Sequence, residues 1–449
     1  MIGYSRLLTA LSKLVKQARA DDVSVCAQAS TRRVFRFAHE AIHQDLAQES
    51  INVTVKVIAN HRVGIGSADT LEPESLRRCV RAALEIAKHS PPSSDLPPLP
   101  RGHRIRSTAE YVAATARVSP ASCVADLKRL FQMCRGVGAQ LAGSIIVGED
   151  ELAVVNSSAT ACYASSTIAG AKLVTMYRKL SGFASGVHRD IAQLSLDGLL
   201  KRSLSQSLHR LEPVTLPLGT YEVILEPEAV AELMEWLGSI AFGAKSVEKR
   251  TSFLAGQMGE QLMDRQVTIL DHGNQPGSLR LPFDFEGTPK QKVILIDRGK
   301  AAGIVYDSLY GQRFGRASTG HAVSPDDVEG PMPLHLAMVP GRSAAAQMVR
   351  ACRRGLLIPR FHYVNGLLNP RTALMTGLTR EGTFLIEDGK LVAPVATMRF
   401  TQSITEAFSR VAAVSKERRL VADPNTGLGC ALTPTVHLKR FHFTGRSES

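Results

Sequence analysis

The segment His39-Glu-Ala-Ile-His43 has the spacing HExxH. On a helix, two histidines one turn apart can chelate zinc while the glutamate polarises the bound water. His39, Glu40 and His43 would then make a stand-alone zincin-type peptidase. The surroundings argue against a helix, because HEAIHQDL has room for only about two turns and lies between two alternating strand patterns. His61 supplies no third ligand, since it sits in a hairpin-like Asn60-His-Arg62 turn. A strand or turn is expected here, with the zincin kept as an alternative. Of the remaining histidines, His335, His362, His437 and His442 are drawn from separated strands, and the step from His437 to His442 would put those two on opposite faces of one strand. Asp271, His272, Asp284 and Glu286 could line a groove, although turn chemistry accounts for them equally well. The cysteines are odd in number and never spaced CxxC, so neither a disulfide framework nor a zinc ribbon is indicated, and most are expected as buried thiols.

The elements that must position these groups read as α+β, with N-terminal α/β units followed by a large β-rich C-terminal domain. A charged amphipathic helix opens the chain. Val34–Phe37 and Ile51–Ile58 alternate as half-buried strands do, Arg62–Ser67 suggests another strand, and Pro73–His89 carries a helical apolar stripe. The proline-rich stretch Ser90–Pro100 ends a first unit, residues 1–100. A second, 101–215, contains a helix over Ala121–Val137, strands at Ser144–Val147 and Glu151–Val155, a turn at Asn156-Ser-Ser158, and a closing helix around Asp190–Leu208. The third, 216–449, holds a helix at Glu228–Phe242. It also holds two hairpins, Val293–Ile296 with Ala302–Tyr306 and Thr383–Ile386 with Leu391–Val392, whose Arg-Gly and Asp-Gly steps supply the positive φ of tight turns.

Composition narrows the function classes. With 449 residues, 44% hydrophobic and 21% charged, the chain is long enough for two or three cored domains. No stretch approaches the ~20 apolar residues that span a bilayer, and the N-terminus does not read as a signal peptide, so the cytoplasm is the expected location. The formal charge of +13 is spread along the chain in pairs such as Arg32-Arg33 and Arg418-Arg419, and only 5% of residues are aromatic, so nucleic acid is not the expected partner.

Five strings fall in one order: Thr251-Ser-Phe-Leu-Ala-Gly-Gln-Met-Gly-Glu260, Val267-Thr-Ile-Leu-Asp-His-Gly273, Phe285-Glu-Gly-Thr-Pro289, Thr376-Gly-Leu-Thr-Arg380 and Pro434-Thr435. Together they resemble the TldD/PmbA family of peptidase-related proteins. Val34–His43 and Asn156-Ser-Ser158 look like the family's first domains, so the resemblance covers nearly the whole chain and places HEAIH in a strand region away from the metal site. Zinc-bearing members resemble TldD and carry HExxxH on a helix a fixed distance before the Thr-Ser string. Counting back from Thr251 lands on Glu235-Trp-Leu-Gly-Ser-Ile240. Glu235 then stands in place of the first histidine, Trp236 in place of the catalytic glutamate and Ile240 in place of the second histidine. A lone carboxylate can ligate zinc, but Trp236 and Ile240 offer no lone pair to a metal, and Trp236 cannot take a proton from water. The family's C-terminal cysteine ligand is not carried over, because Cys430 lies too near Pro434. Without the family, the segment is an ordinary core helix with Val230, Leu233, Met234, Leu237, Ile240 and Ala241 at helical spacing.

The resemblance therefore implies a zinc-less TldE/PmbA-type subunit with no catalytic residues and no metal of its own, paired with a zinc-bearing TldD-like chain. Its substrate would be unfolded peptide or a precursor peptide undergoing maturation. Family members have also been called modulators of DNA gyrase, a label read here as indirect. A homodimeric peptide-binding module without catalysis is the second alternative.

Overall fold

The structure, a computed structural model, describes residues 1–425 and 429–446. Asp22–Ala38 and Ala41–Ala59 pair along nearly their whole length, with a bulge between Arg36 and Phe37. Long alternation of this kind favours one continuous hairpin over short strands. On its other side, Asp22–Ala38 pairs with Gln140–Asn156 from Ser24↔Asn156 to Phe37↔Gly143. The expected units 1–100 and 101–215 thus share one seven-stranded sheet, ordered Arg62–Ala68, Ala41–Ala59, Asp22–Ala38, Gln140–Asn156, Ala161–Tyr177, Arg106–Glu110, with Leu180–His188 also on Ala161–Tyr177.

The alternation of side chains gives this sheet two different faces. Odd-numbered positions of its first strand face the chain's own helices. At one end, Val25 and Ala27 join Leu7 and Leu11 of Tyr4–Gln17 and Leu76 and Ala83 of Pro73–His89. At the other end, Phe35 and Phe37 join Leu127 and Leu130 of Pro120–Gly136 and Leu200 of Leu196–Ser207. The reverse face, with Cys26, Leu152, Val154 and Cys162, packs on Leu281, Phe283 and Phe285 of the C-terminal domain. The helix expected around Asp190–Leu208 begins later, as a 3-10 turn at Ile191–Gln193 and then Leu196–Ser207, where the Ser195 hydroxyl caps the Gly198 amide.

The C-terminal domain is built on a thirteen-stranded sheet whose longest strand is Cys430–Arg446. That strand pairs in parallel with His335–Met338 and antiparallel with Gly219–Leu225, Met398–Ser403 and Val411–Val421. Gly219–Leu225 is flanked on its other side by Arg354–Ile358, followed outward by Phe384–Glu387 and Lys390–Pro394. The Asp388-Gly389 turn has φ of 48° and 75°, as its sequence requires. The other expected hairpin is shorter than its pattern suggested: the return strand is only Lys300–Ala301, and Val305 instead bridges Gly243. Among the described residues, no helix is long and apolar enough to cross a membrane.

Candidate functional site

Helix Pro227–Ala241 starts with proline at its first position and carries an unbroken apolar stripe, so it forms and buries itself readily. Val230, Leu233, Met234, Leu237 and Ala241 are fully buried, and Ile240 is 5% exposed. The helix packs against Cys430–Arg446 and Phe361–Asn369. Its polar side presents Glu232, Glu235 and Trp236. Trp236 stands one turn after Glu232, and its ring lies over Gly366, where an added Cβ would stand 2.6 Å from Cε3. Glycine is what lets the strand approach the indole this closely.

The Glu235 side chain reaches solvent, yet protein crowds it on several sides. Burial by this surrounding protein, then the like charges of Glu232 and Asp423, push its carboxyl up to about 7, with Lys172 pulling the other way. Burial also raises Glu232, against the pull of Arg360. Lys172 comes from the N-terminal sheet and lies 3.6 Å from Asp423, so this acidic cleft is made by both parts of the chain. Such a carboxyl can exchange a proton near neutrality or receive a cationic group. It cannot build a zinc site with its neighbours: Trp236 offers a donor only, Ile240 offers hydrocarbon, and the Cys430 thiol is buried among Ile168, Val187 and Leu279, where burial pushes it up to about 12. The donor set does not fit the metal.

The HExxH helix is not formed. His39 and Glu40 occupy the turn of the first hairpin with φ of 51° and 55°, and His43 lies exposed on the returning strand. The Glu40 carboxylate accepts from the Leu141 amide at 3.3 Å. A two-residue turn wins because the alternating pattern on both sides extends right up to it. Asp284 does what turn chemistry predicted, accepting from the Glu286, Thr288 and Ala322 amides. His272 faces Gln275. Asp271 is instead fully buried: burial alone would raise it, but Lys290 and His321 hold its carboxylate well below the ordinary range, with His321 Nε2 at 2.8 Å. It also accepts the His335 amide at 2.6 Å. The His335 ring is buried without a hydrogen-bond partner, and burial and Lys290 push it down to about 3, which keeps it neutral.

His437 and His442 are not on opposite faces. His437 pairs with Ile224 and His442 with Thr220, two positions of equal parity on the same strand, because a bulge between Leu438 and Phe441 inserts one extra residue. His437 shares the face of Glu222 as the partner of Ile224, and the turn after Ala345–Ala351 delivers Cys352 to the same place. No spacing rule could have gathered three residues so far apart in sequence.

A mixed α+β chain whose β-rich C-terminal half is built around a helix at the end of its first strand defines the class, and the comparisons fall in the same place. A profile described as the PmbA/TldA metallopeptidase C-terminal domain matches residues 218–445, and the chain belongs to this family. Over 403 residues it is 24% identical to the metalloprotease PmbA of Escherichia coli O157:H7, covering 86% of this chain and 84% of that one. It is 27% identical over 225 residues to a metalloprotease TldD homolog of Haemophilus influenzae, where the match covers 49% of this chain and spans about half, 46%, of the relative. The crystal structure of TldE from Thermococcus kodakarensis superimposes with a TM-score of 0.88 at 22% identity, covering 97% of this chain and 100% of that one, a likeness of fold.

Proposed function

We propose that this chain is the TldE/PmbA-type, non-catalytic subunit of a heterodimeric zinc metallopeptidase of the cytoplasm. A TldD-like partner would carry the zinc that activates water for hydrolysis. The observation that carries this reading is the motif helix, where Glu235, Trp236 and Ile240 offer a single carboxylate in place of two histidines and a base. This chain's own residues would bind and orient peptide. Phe361–Asn369 beside that helix pairs with only one neighbour, Leu374–Thr379, among the described residues, so its outer edge has main-chain groups to offer an extended peptide with little regard for sequence. Tyr363 and Leu367 on the same strand are 79% and 64% exposed, which suits contact with a peptide or the partner subunit. Glu232 and Glu235 would receive a cationic group at one end of the bound segment.

The substrate on this reading is unfolded peptide, either for degradation or for maturation of a precursor. Co-expression with a TldD-like chain tests the pairing. A stable one-to-one complex is expected, and a homodimer that ignores the TldD-like chain would overturn it.

A further inference from the structure

We propose that Glu222, Cys352 and His437 form a second, separate site, which binds a divalent metal ion of the zinc type on the face of the large sheet turned away from the motif helix. One carboxylate oxygen, one thiol sulfur and one imidazole nitrogen lie there within 4.8 Å of one another. In a tetrahedral site with bonds of ~2.0 Å to N and O and ~2.3 Å to S, these donor pairs stand ~3.3–3.5 Å apart. Closing a pair by at most about 1.3 Å, shared between two side chains, would fit this set around an ion.

The fold holds the three groups in place. Val223 and Leu225 face the core that contains Pro227–Ala241, so Glu222 and Ile224 face the other way, and His437 shares their side as the register partner of Ile224. Cys352 ends the helix Ala345–Ala351, its amide donating back to Met348, and its sulfur sits over Gly355, where an added Cβ would lie 2.7 Å away. Gly355 in turn pairs with Glu222. A residue without a side chain is thus required between the thiol and the carboxylate.

Two further observations favour an ion over ordinary packing. The His437 side chain is 5% exposed, and its Nε2 lies 2.7 Å from Glu222 Oε1 in an ion-pair contact without hydrogen-bond geometry. Ile224, Met348 and Ile386 form an apolar shell around Cys352, which excludes competing water, while the Glu222 side chain is 30% exposed and leaves an approach from solvent for a fourth ligand. The donors also select among metals: thiolate and imidazole disfavour magnesium and calcium and suit zinc.

The site owes nothing to the peptidase reading, and its test does not involve peptide cleavage. Metal-free, full-length protein is titrated with Co2+, which takes zinc sites and signals thiolate ligation by a near-ultraviolet charge-transfer band. One equivalent with such a band is expected. Cys352→Ser should abolish the band, and Cys430→Ser, at the cysteine nearest the acidic cleft, should keep it. Glu222→Gln, a partly exposed change that leaves the core intact, should weaken binding by on the order of tenfold or more, since even residues behind the ligands are worth that much. Zinc should raise the thermal midpoint of the wild type and raise that of Glu222→Gln by less at the same concentration. A wild type with no stoichiometric band, a band that survives Cys352→Ser, or one that disappears in Cys430→Ser would overturn the assignment.

Discussion

Gly366→Ala tests how the motif helix is sealed. An added Cβ would meet Trp236 Cε3 at 2.6 Å, Cδ2 at 2.9 Å and Cβ at 3.2 Å. All three belong to the Trp236 side chain near its root, on a helix whose other face is core, so none can swing aside as the tip of a flexible side chain would. Gly366 has no positive φ, so the effect is steric and not conformational. Overpacking of this kind costs about 1–3 kcal/mol. Trp236 is the only tryptophan in the chain, so its emission reports on this cleft alone. Urea unfolding followed by fluorescence and circular dichroism should show a lower midpoint and a shifted native emission maximum. Trp236→Ala should relieve the clash, so the double variant should be more stable than the sum of the single changes allows, with a coupling of about 1 kcal/mol or more. If Gly366→Ala matched wild type in both midpoint and emission, or the two changes simply added, the close packing of strand on indole would be refuted.

Other expectations follow from the charged groups. The Glu235 carboxyl is raised in the folded chain, so the folded state holds its proton at pH values where the unfolded state has released it. Its contribution is present below the ordinary carboxylate range and is lost as pH rises through about 7. Glu235→Gln should flatten stability against pH across that window, and a wild type and variant with parallel profiles would contradict the assignment. Arg32 and Asp150 form a 2.6 Å pair at 9% and 11% exposure, and the same guanidinium donates to the Pro424 carbonyl. Arg32→Ala leaves a buried carboxylate and should cost about 3–5 kcal/mol by chemical denaturation, against nearly nothing if the pair were solvent-screened. Leu237→Ala, in the fully buried stripe of the motif helix, should cost about 2–5 kcal/mol, and a loss below half a unit would mean that the helix is not core.

What the sequence revealed depended on how local the signal was. The Asp388-Gly389 hairpin and helix Pro227–Ala241 were legible because turn chemistry and a 3.6-residue stripe act over a few residues. HEAIH was legible as a turn from its flanking strands, despite the lure of its motif. The union of 1–100 and 101–215 in one sheet was not, because the pairing of Asp22–Ala38 with Gln140–Asn156 spans more than a hundred residues and leaves no local mark. The cleft was half visible: the family string located Glu235 and Trp236, while Lys172 and Gly366 arrive from distant strands. The Glu222, Cys352 and His437 cluster was hidden because its members come from three separate segments, while the bulge misled only the pairing of His437 with His442, whose faces period-two counting had set apart.

The central claim is that this chain cannot itself cleave peptides and needs a zinc-bearing companion to do so. The most direct measurement compares hydrolysis of an unstructured peptide by the zinc-supplied chain alone, by a TldD-like chain alone and by the two together. Cleavage by the pair, with none by this chain alone, is the predicted result. Zinc-dependent cleavage by this chain alone, lost on Glu235→Ala, would contradict the account.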